Sequence, residues 1–140
     1  MSICNPPSSP LWANRMLAVF RIVAGLMFFS FGTMIVFRFP HGPMQMPPFH
    51  LASQMGIGKI LETIGGLAIT LGLCTRPVAF VLAGEMAVAY FQFHAPKSFF
   101  PTVNGGVSAI LYCFLFLYLF FAGPGGWSLD GFIFRHGNNR

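Results

Sequence analysis

Residues 77–90 read PVAFVLAGEMAVAY, an apolar run with Glu85 near its centre and no cation inside it. A carboxylate in such a run needs a partner or a proton, because a bare charge is costly to take out of water. Continued to residue 94, the run is nearly the length that crosses a bilayer core of about 30 Å, for which a helix needs about 20 residues. Three other apolar stretches do the same at 16–37, 51–74 and 105–122. Two of them also carry an ionisable group, Arg21 in the first and Glu62 in the second. The expected fold is all-α, an integral membrane four-helix bundle that uses the whole chain.

The composition agrees. Of 140 residues, 55% are hydrophobic and 8% charged, whereas a soluble domain carries about a quarter charged residues. The mean hydropathy is +0.69. The net charge of +5 comes from basic residues scattered singly, so it does not describe a nucleic-acid surface. It reads better as an orientation signal. Arg15, Arg76, Arg135 and Arg140 fall on one side of the spans and Arg38 and Lys97 on the other, which predicts both termini in the cytoplasm. Lys59 is set aside in this reading because it lies within the second span. The expected organisation is a cytoplasmic segment 1–15, a four-span domain 16–130 and a cytoplasmic tail 131–140. The first apolar run is too long for a signal-peptide core, so no cleaved targeting segment is expected.

Proline and glycine mark the connections. Pro40, Pro43, Pro47 and Pro48 deny a regular helix to the first loop, since each lacks an amide donor and fixes φ. Phe39, Met44, Met46 and Phe49 could dip that loop into the interface. Thr75-Arg76-Pro77 leaves almost nothing between the second and third spans, so these form an antiparallel hairpin, with proline where a helix tolerates it. The 95–104 connection is expected to be short and semi-ordered, and 135–140 to be a frayed tail. Gly123-Pro124-Gly125-Gly126 ends the fourth span, and Trp127 suits a headgroup boundary.

The buried polar set is the candidate site. At a rise of about 1.5 Å per residue, Arg21 lies about 8 Å, Glu85 about 12 Å and Glu62 about 18 Å from the cytoplasmic ends of their spans. Arg21 with Glu85 is the closest match in depth, and a contact between them is expected. Gly25 and Gly32 share the Arg21 stripe, and Gly65, Gly66 and Ile69 share that of Glu62, so small residues beside each charge let the helices approach. Glu85, Ala89 and Gln92 share a face, with Tyr90 and His94 beside it. Two carboxylates for one arginine leave one carboxylate over, able to hold a proton or to bind a polar ligand. The alternative is a charge pair that only fixes helix register. His41 and His50 lack nearby Cys or carboxylate ligands, and no metal site is expected. Cys4, Cys74 and Cys113 form no CxxC pair, and no disulfide is expected. The 18 phenylalanines suit lipid-facing positions first and a quinone or lipid cleft second. No signature of the common soluble enzyme classes occurs.

The chain resembles the DoxX family of small four-span bacterial membrane proteins. The resemblance is carried by Glu62-Thr63-Ile64-Gly65-Gly66, Leu71-Gly72-Leu73-Cys74-Thr75-Arg76-Pro77, Gly84-Glu85-Met86-Ala87-Val88-Ala89-Tyr90-Phe91, His94-Ala95-Pro96, Asn104-Gly105-Gly106 and Gly123-Pro124-Gly125-Gly126-Trp127-Ser128-Leu129-Asp130, with Arg21 and Gly25 before them. It implies a multi-pass protein of the bacterial inner membrane. Some members are linked to membrane redox chemistry, including a subunit of archaeal thiosulfate:quinone oxidoreductase, so the resemblance also implies a non-autonomous subunit near the quinone pool, with quinone as its cofactor. Relatives often carry His-Gly followed three residues later by Lys in the first span, and Glu after Asn-Gly-Gly. Here Phe31, Ile35 and Val107 stand at those positions, which weighs against catalysis.

Three readings follow, with Arg21, Glu62 and Glu85 as the candidate catalytic set in the first. The chain is a membrane subunit of quinone-linked redox chemistry, a non-catalytic accessory subunit of a larger membrane complex, or a proton or small-solute pathway. Its expected partners are the lipid bilayer and a membrane protein or further copies of itself, with no nucleic acid.

Overall fold

The computed structural model describes residues 10–39, 50 and 53–137, and all their regular structure is helical. The elements are α1 (Pro10–Val36), α2 (Gln54–Leu71), α3 (Thr75–Ala89) running into one π-helical turn (Tyr90–His94), a short α4 (Pro101–Asn104), α5 (Val107–Ala122) and α6 (Leu129–Gly137). Among the described residues one helix, Leu11–Val36 within α1, is long and apolar enough to cross a bilayer by itself; α5 is a shorter apolar helix.

Local chemistry sets the boundaries. Pro10 opens α1, where its missing N–H is no loss, so the helix begins before the expected residue 16. Ser53 caps α2, its hydroxyl accepting from the Gly56 amide at 3.0 Å, and the helix ends in a left-handed Gly72 at φ +70°. There Gly72 N–H donates to Ile69 O and Leu73 N–H to Ala68 O, which covers orphan carbonyls of the last turn. Cys74 is also left-handed, at φ +47°, and α3 starts at once with no cap from its own side chain. The cap comes from the far end of the chain. Asp130 accepts from the Cys74 amide at 2.7 Å and the Thr75 amide at 3.0 Å, while its own N–H donates to Gly72 O. A carboxylate at a helix N-terminus satisfies free amides and opposes the dipole.

α1 and α2 lie antiparallel, and glycines set their spacing. A Cβ at Gly25 would sit 2.6 Å from Thr70 N, at Gly32 2.5 Å from Thr63 N, and at Gly66 2.5 Å from Phe29 N. The hydroxyls of Thr63 and Thr70 bond back to Lys59 O and Gly66 O in their own helix, so the close seam leaves neither unsatisfied. α3 packs against α5, and Gly65 of α2 accommodates Leu82 of α3. A single core cluster joins the helices through Phe28, Ile69, Leu82, Met86, Phe116 and Leu119. Large apolar side chains also cover the outside: Phe80, Phe91, Leu111, Phe114 and Phe121 are all more than half exposed. Large apolar side chains in such number are what a lipid-facing surface carries.

Two connections differ from the sequence expectation. The 95–104 segment is ordered, because Asn104 donates to Ser98 O, accepts from Gly106 N–H, and its carbonyl meets His94 Nδ1 at 3.0 Å. Residues 129–137 form α6, anchored by the Asp130 cap, and this helix runs into the stretch expected to fray. The expectations for residues 1–9, the proline loop 40–49 and residues 138–140 lie outside the described residues.

Candidate functional site

A cavity of about 310 Å³ lies between α1, α2, α3 with its π-helical turn, and α5. Its lining mixes rings and thioethers, among them Phe28, Phe31, Met55, Met86, Phe93 and Tyr112, with polar side chains from Gln54, Gln92, His94 and Ser108. α1 meets α5 there ring against ring, Phe28 to Tyr112 at 5.1 Å and Phe31 to Tyr112 at 6.2 Å between centroids. Within these walls are two carboxylates and an ammonium. Lys59 Nζ donates to Glu62 Oε1 at 2.5 Å and Oε2 at 2.7 Å, an i,i+3 pair on α2. Glu85 enters from α3. Its Oε2 is buried and has no hydrogen-bond partner among the described residues, and its Oε1 lies so near Gly58 that a Cβ there would sit 3.0 Å away. Lys59 and Glu62 are both close enough to act on Glu85 electrostatically.

The edge of the cavity is tied across α2 and the π-helical turn by Gln54 Nε2 donating to Gln92 Oε1 at 2.5 Å. The turn itself is closed by Ala95 N–H donating to Tyr90 O, and π-turns inside helices are often found at functional sites. It brings Gln92 and His94 together on the cavity lining with Glu85. Gly106 is needed on the far side of the turn, since a Cβ there would meet the Tyr90 ring at 2.7 Å.

Arg21 is elsewhere, and the expected contact with Glu85 or Glu62 is not formed. The guanidinium is fully buried and donates only to main-chain carbonyls: Nε to Pro124 O at 2.8 Å, one terminal nitrogen to Ile69 O at 2.6 Å and Thr70 O at 2.7 Å, the other to Trp127 O at 2.9 Å. The reason is register. Arg21 stands level with the last turn of α2, whose free carbonyls carry the negative end of the helix dipole. Glu62 is seven residues back from Ile69, about 10 Å along the axis. A cage of carbonyls thus takes the place of the carboxylate, and Arg21 binds α1 to the end of α2 and to the 124–127 turn.

The cation beside the carboxylates is Lys59, which the sequence reading set aside. Its signal was present, because Lys and Glu one helical turn apart face each other on any helix. Glu62 and Glu85 line the same cavity, and Glu85 is the carboxylate to which no cation bonds among the described residues. The Gln54–Gln92 bond had no sequence signal, since it depends on how α2 meets the π-turn. Of the three positions where relatives often carry polar groups, Phe31 lines the cavity, Ile35 is half-buried and Val107 opens α5 at 40% exposure.

Comparison with known proteins identifies the family. The DoxX family model matches residues 16–95, a stretch that runs from α1 through the π-helical turn and includes Arg21, Lys59, Glu62 and Glu85. An uncharacterised protein of Haemophilus influenzae is 39% identical over 128 residues, covering 85% of this chain and 91% of that protein. No solved structure matches. With the family model spanning more than half of it and a relative aligned along most of its length, the chain belongs to the DoxX family, a membrane-associated family.

Proposed function

We propose that this DoxX protein is a multi-pass protein of the bacterial inner membrane, a bundle of four spans with both termini cytoplasmic, and that it serves as a membrane subunit of redox chemistry near the quinone pool. The exposed apolar faces of α2, α3 and α5 support the further spans. The π-helical turn lengthens α3 toward a crossing length, and Arg76, close to Gly123, sits at the same end as the Arg21 cage. The positive residues at that end support its placement on the cytoplasmic side.

One observation carries the functional reading: Glu85 holds a buried carboxyl oxygen, unpartnered among the described residues, in a cavity that offers aromatic and apolar faces. Those residues fit a quinone, whose flat ring needs apolar walls and whose oxygen needs a donor. When bound, a quinone accepts electrons and takes up protons. The chain's own part is to bind and to position. Phe31, Phe93 and Tyr112 offer ring faces, and Glu85 holds a proton at Oε2. Lys59 bonds both oxygens of Glu62, so that Glu85 is the carboxyl left without a bonded cation among the described residues. Arg21 acts at a distance by holding the α1–α2 frame.

The test is quinone content. Protein purified in mild detergent should carry extractable quinone, and Glu85→Gln should lose most of it while remaining folded. Equal quinone in both, or none in the wild type, sinks the reading.

A second reading, a non-catalytic accessory subunit or homo-oligomer, is favoured by the closed Lys59–Glu62 pair and by Phe31 in the cavity wall. It predicts that a co-purifying complex keeps its activity when Glu85 is replaced by glutamine.

A further inference from the structure

The cavity has a charge balance that the redox reading does not use. Lys59 is engaged by both oxygens of Glu62, so this pair is neutral by itself. Glu85 is the remaining acid, and among the described residues no cation bonds to it. The titratable groups facing it are Lys59 and Glu62 from α2, His94 from the π-helical turn and Tyr112 from α5; the α1 residues on the lining, Phe28 and Phe31, bring none. His94 is already occupied through Nδ1 with Asn104 O. When Glu85 loses its proton, the cavity therefore holds one uncompensated negative charge beside ring faces, thioethers and a glutamine pair whose amides bond to each other.

An ionised carboxylate in such surroundings must gain a counter-charge. The walls define which kind fits. A small inorganic cation needs several oxygen ligands, and no group of three or more His, Cys, Asp or Glu able to hold a metal ion occurs among the described residues. An organic cation needs one carboxylate and aromatic faces, which attract ammonium groups through the ring quadrupole. Phe31, Phe93 and Tyr112 supply those faces.

We propose that the cavity is a binding site for a lipophilic organic ammonium ion, and that this cation and a proton on Glu85 exclude each other. Cation in means proton out, one for one, with the proton leaving Oε2 for solvent and no bond made or broken otherwise. This goes beyond the quinone reading and stands without it. The two have opposite signs with pH: a quinone oxygen is best served by protonated Glu85, a cation by the ionised form.

The experiment is calorimetric titration of the full-length protein in mild detergent with benzyltrimethylammonium, whose charge is fixed, alongside its uncharged isostere neopentylbenzene. Runs at about pH 6 and about pH 9 set the cation against the proton over about a thousandfold range of proton activity. The cation is expected to bind about tenfold or more tightly at the higher pH, the isostere equally at both. Repeating the titration in buffers of different ionisation heat should show a proton released on cation binding. That readout needs no variant and so survives any folding defect. Glu85→Gln should abolish both the release and the pH dependence. No cation binding, pH-independent binding, or a proton release unchanged in Glu85→Gln overturns the proposal. Quinone content measured on the same preparations separates its failure from that of the redox reading.

Discussion

Arg21 gives four of its five N–H donors to main-chain carbonyls from two separate parts of the chain. Only a planar fork does this, because the ammonium of lysine is a point donor. Arg21→Met keeps the bulk and removes every donor, leaving buried carbonyls bare, and is expected to cost about 3 kcal/mol or more. Thermal unfolding in detergent checks it, and a midpoint within error of wild type would show that the cage holds nothing. The Lys59–Glu62 pair makes a second prediction. Glu62→Gln should destabilise by about 1–3 kcal/mol, since it strands a half-buried ammonium. Lys59→Met combined with Glu62→Gln should recover most of that loss. Additive losses in the double variant would mean that the two side chains do not act as a pair. At this scale the sequence shows which ionisable groups lie inside apolar runs. It does not show their partners, because Arg21 bonds to carbonyls that carry no side-chain signature.

α1 and α2 come together along Gly25, Gly32 and Gly66, and the threonines opposite them turn their hydroxyls back into their own helix. In a lipid setting such close backbone approach replaces the hydrophobic drive that would hold helices together in water. Gly32→Ala places a Cβ against the Thr63 main chain, where neither side can yield, and is expected to cost about 1–3 kcal/mol. Gly84 supplies the control, as nothing lies within 4 Å of a Cβ there, so Gly84→Ala should be neutral or stabilising by up to about 1 kcal/mol. Unfolding midpoints of the two variants decide; equal effects would remove the packing argument. The glycine stripe was legible from its helical spacing, as was the tight α2–α3 hairpin. The helix α6 was not read, although its start carries a local signal: Ser128 Oγ accepts from the Gly131 amide at 3.1 Å, while Asp130 in its first turn ties it to the start of α3.

The molecule as a whole has two chemically different ends. One gathers the Arg21 cage, the Asp130 cap, Arg76 and α6; the other gathers the π-helical turn, α4 and the start of α5, with Phe99 and Phe100 exposed. If both termini are cytoplasmic, Cys74, which is exposed, faces the cytoplasm and Phe99 faces outward. In a background with Cys4→Ser and Cys113→Ala, Cys74 should react with a membrane-impermeant maleimide only after cells are permeabilised. With Cys74→Ser added, Phe99→Cys should react in intact cells. The reverse pattern inverts the orientation, and labelling of both from one side is incompatible with a hairpin of spans two and three.

The sequence by itself determined what depends on local composition and spacing: an all-helical chain of the DoxX family, apolar runs with isolated charges, and turns where proline and glycine stand. These are properties of a residue and its near neighbours along the chain. Tertiary structure decided which groups meet. Arg21 faces the end of α2 and not Glu85, because the register between antiparallel helices is set by where their glycines fit. Lys59 takes Glu62, Asp130 caps α3 from across the chain, and Glu85 is left with a bare oxygen in the cavity between α1, α2, α3 and α5. Each of these outcomes rests on the relative placement of helices to within a turn, and that placement arises from packing, which no single segment encodes.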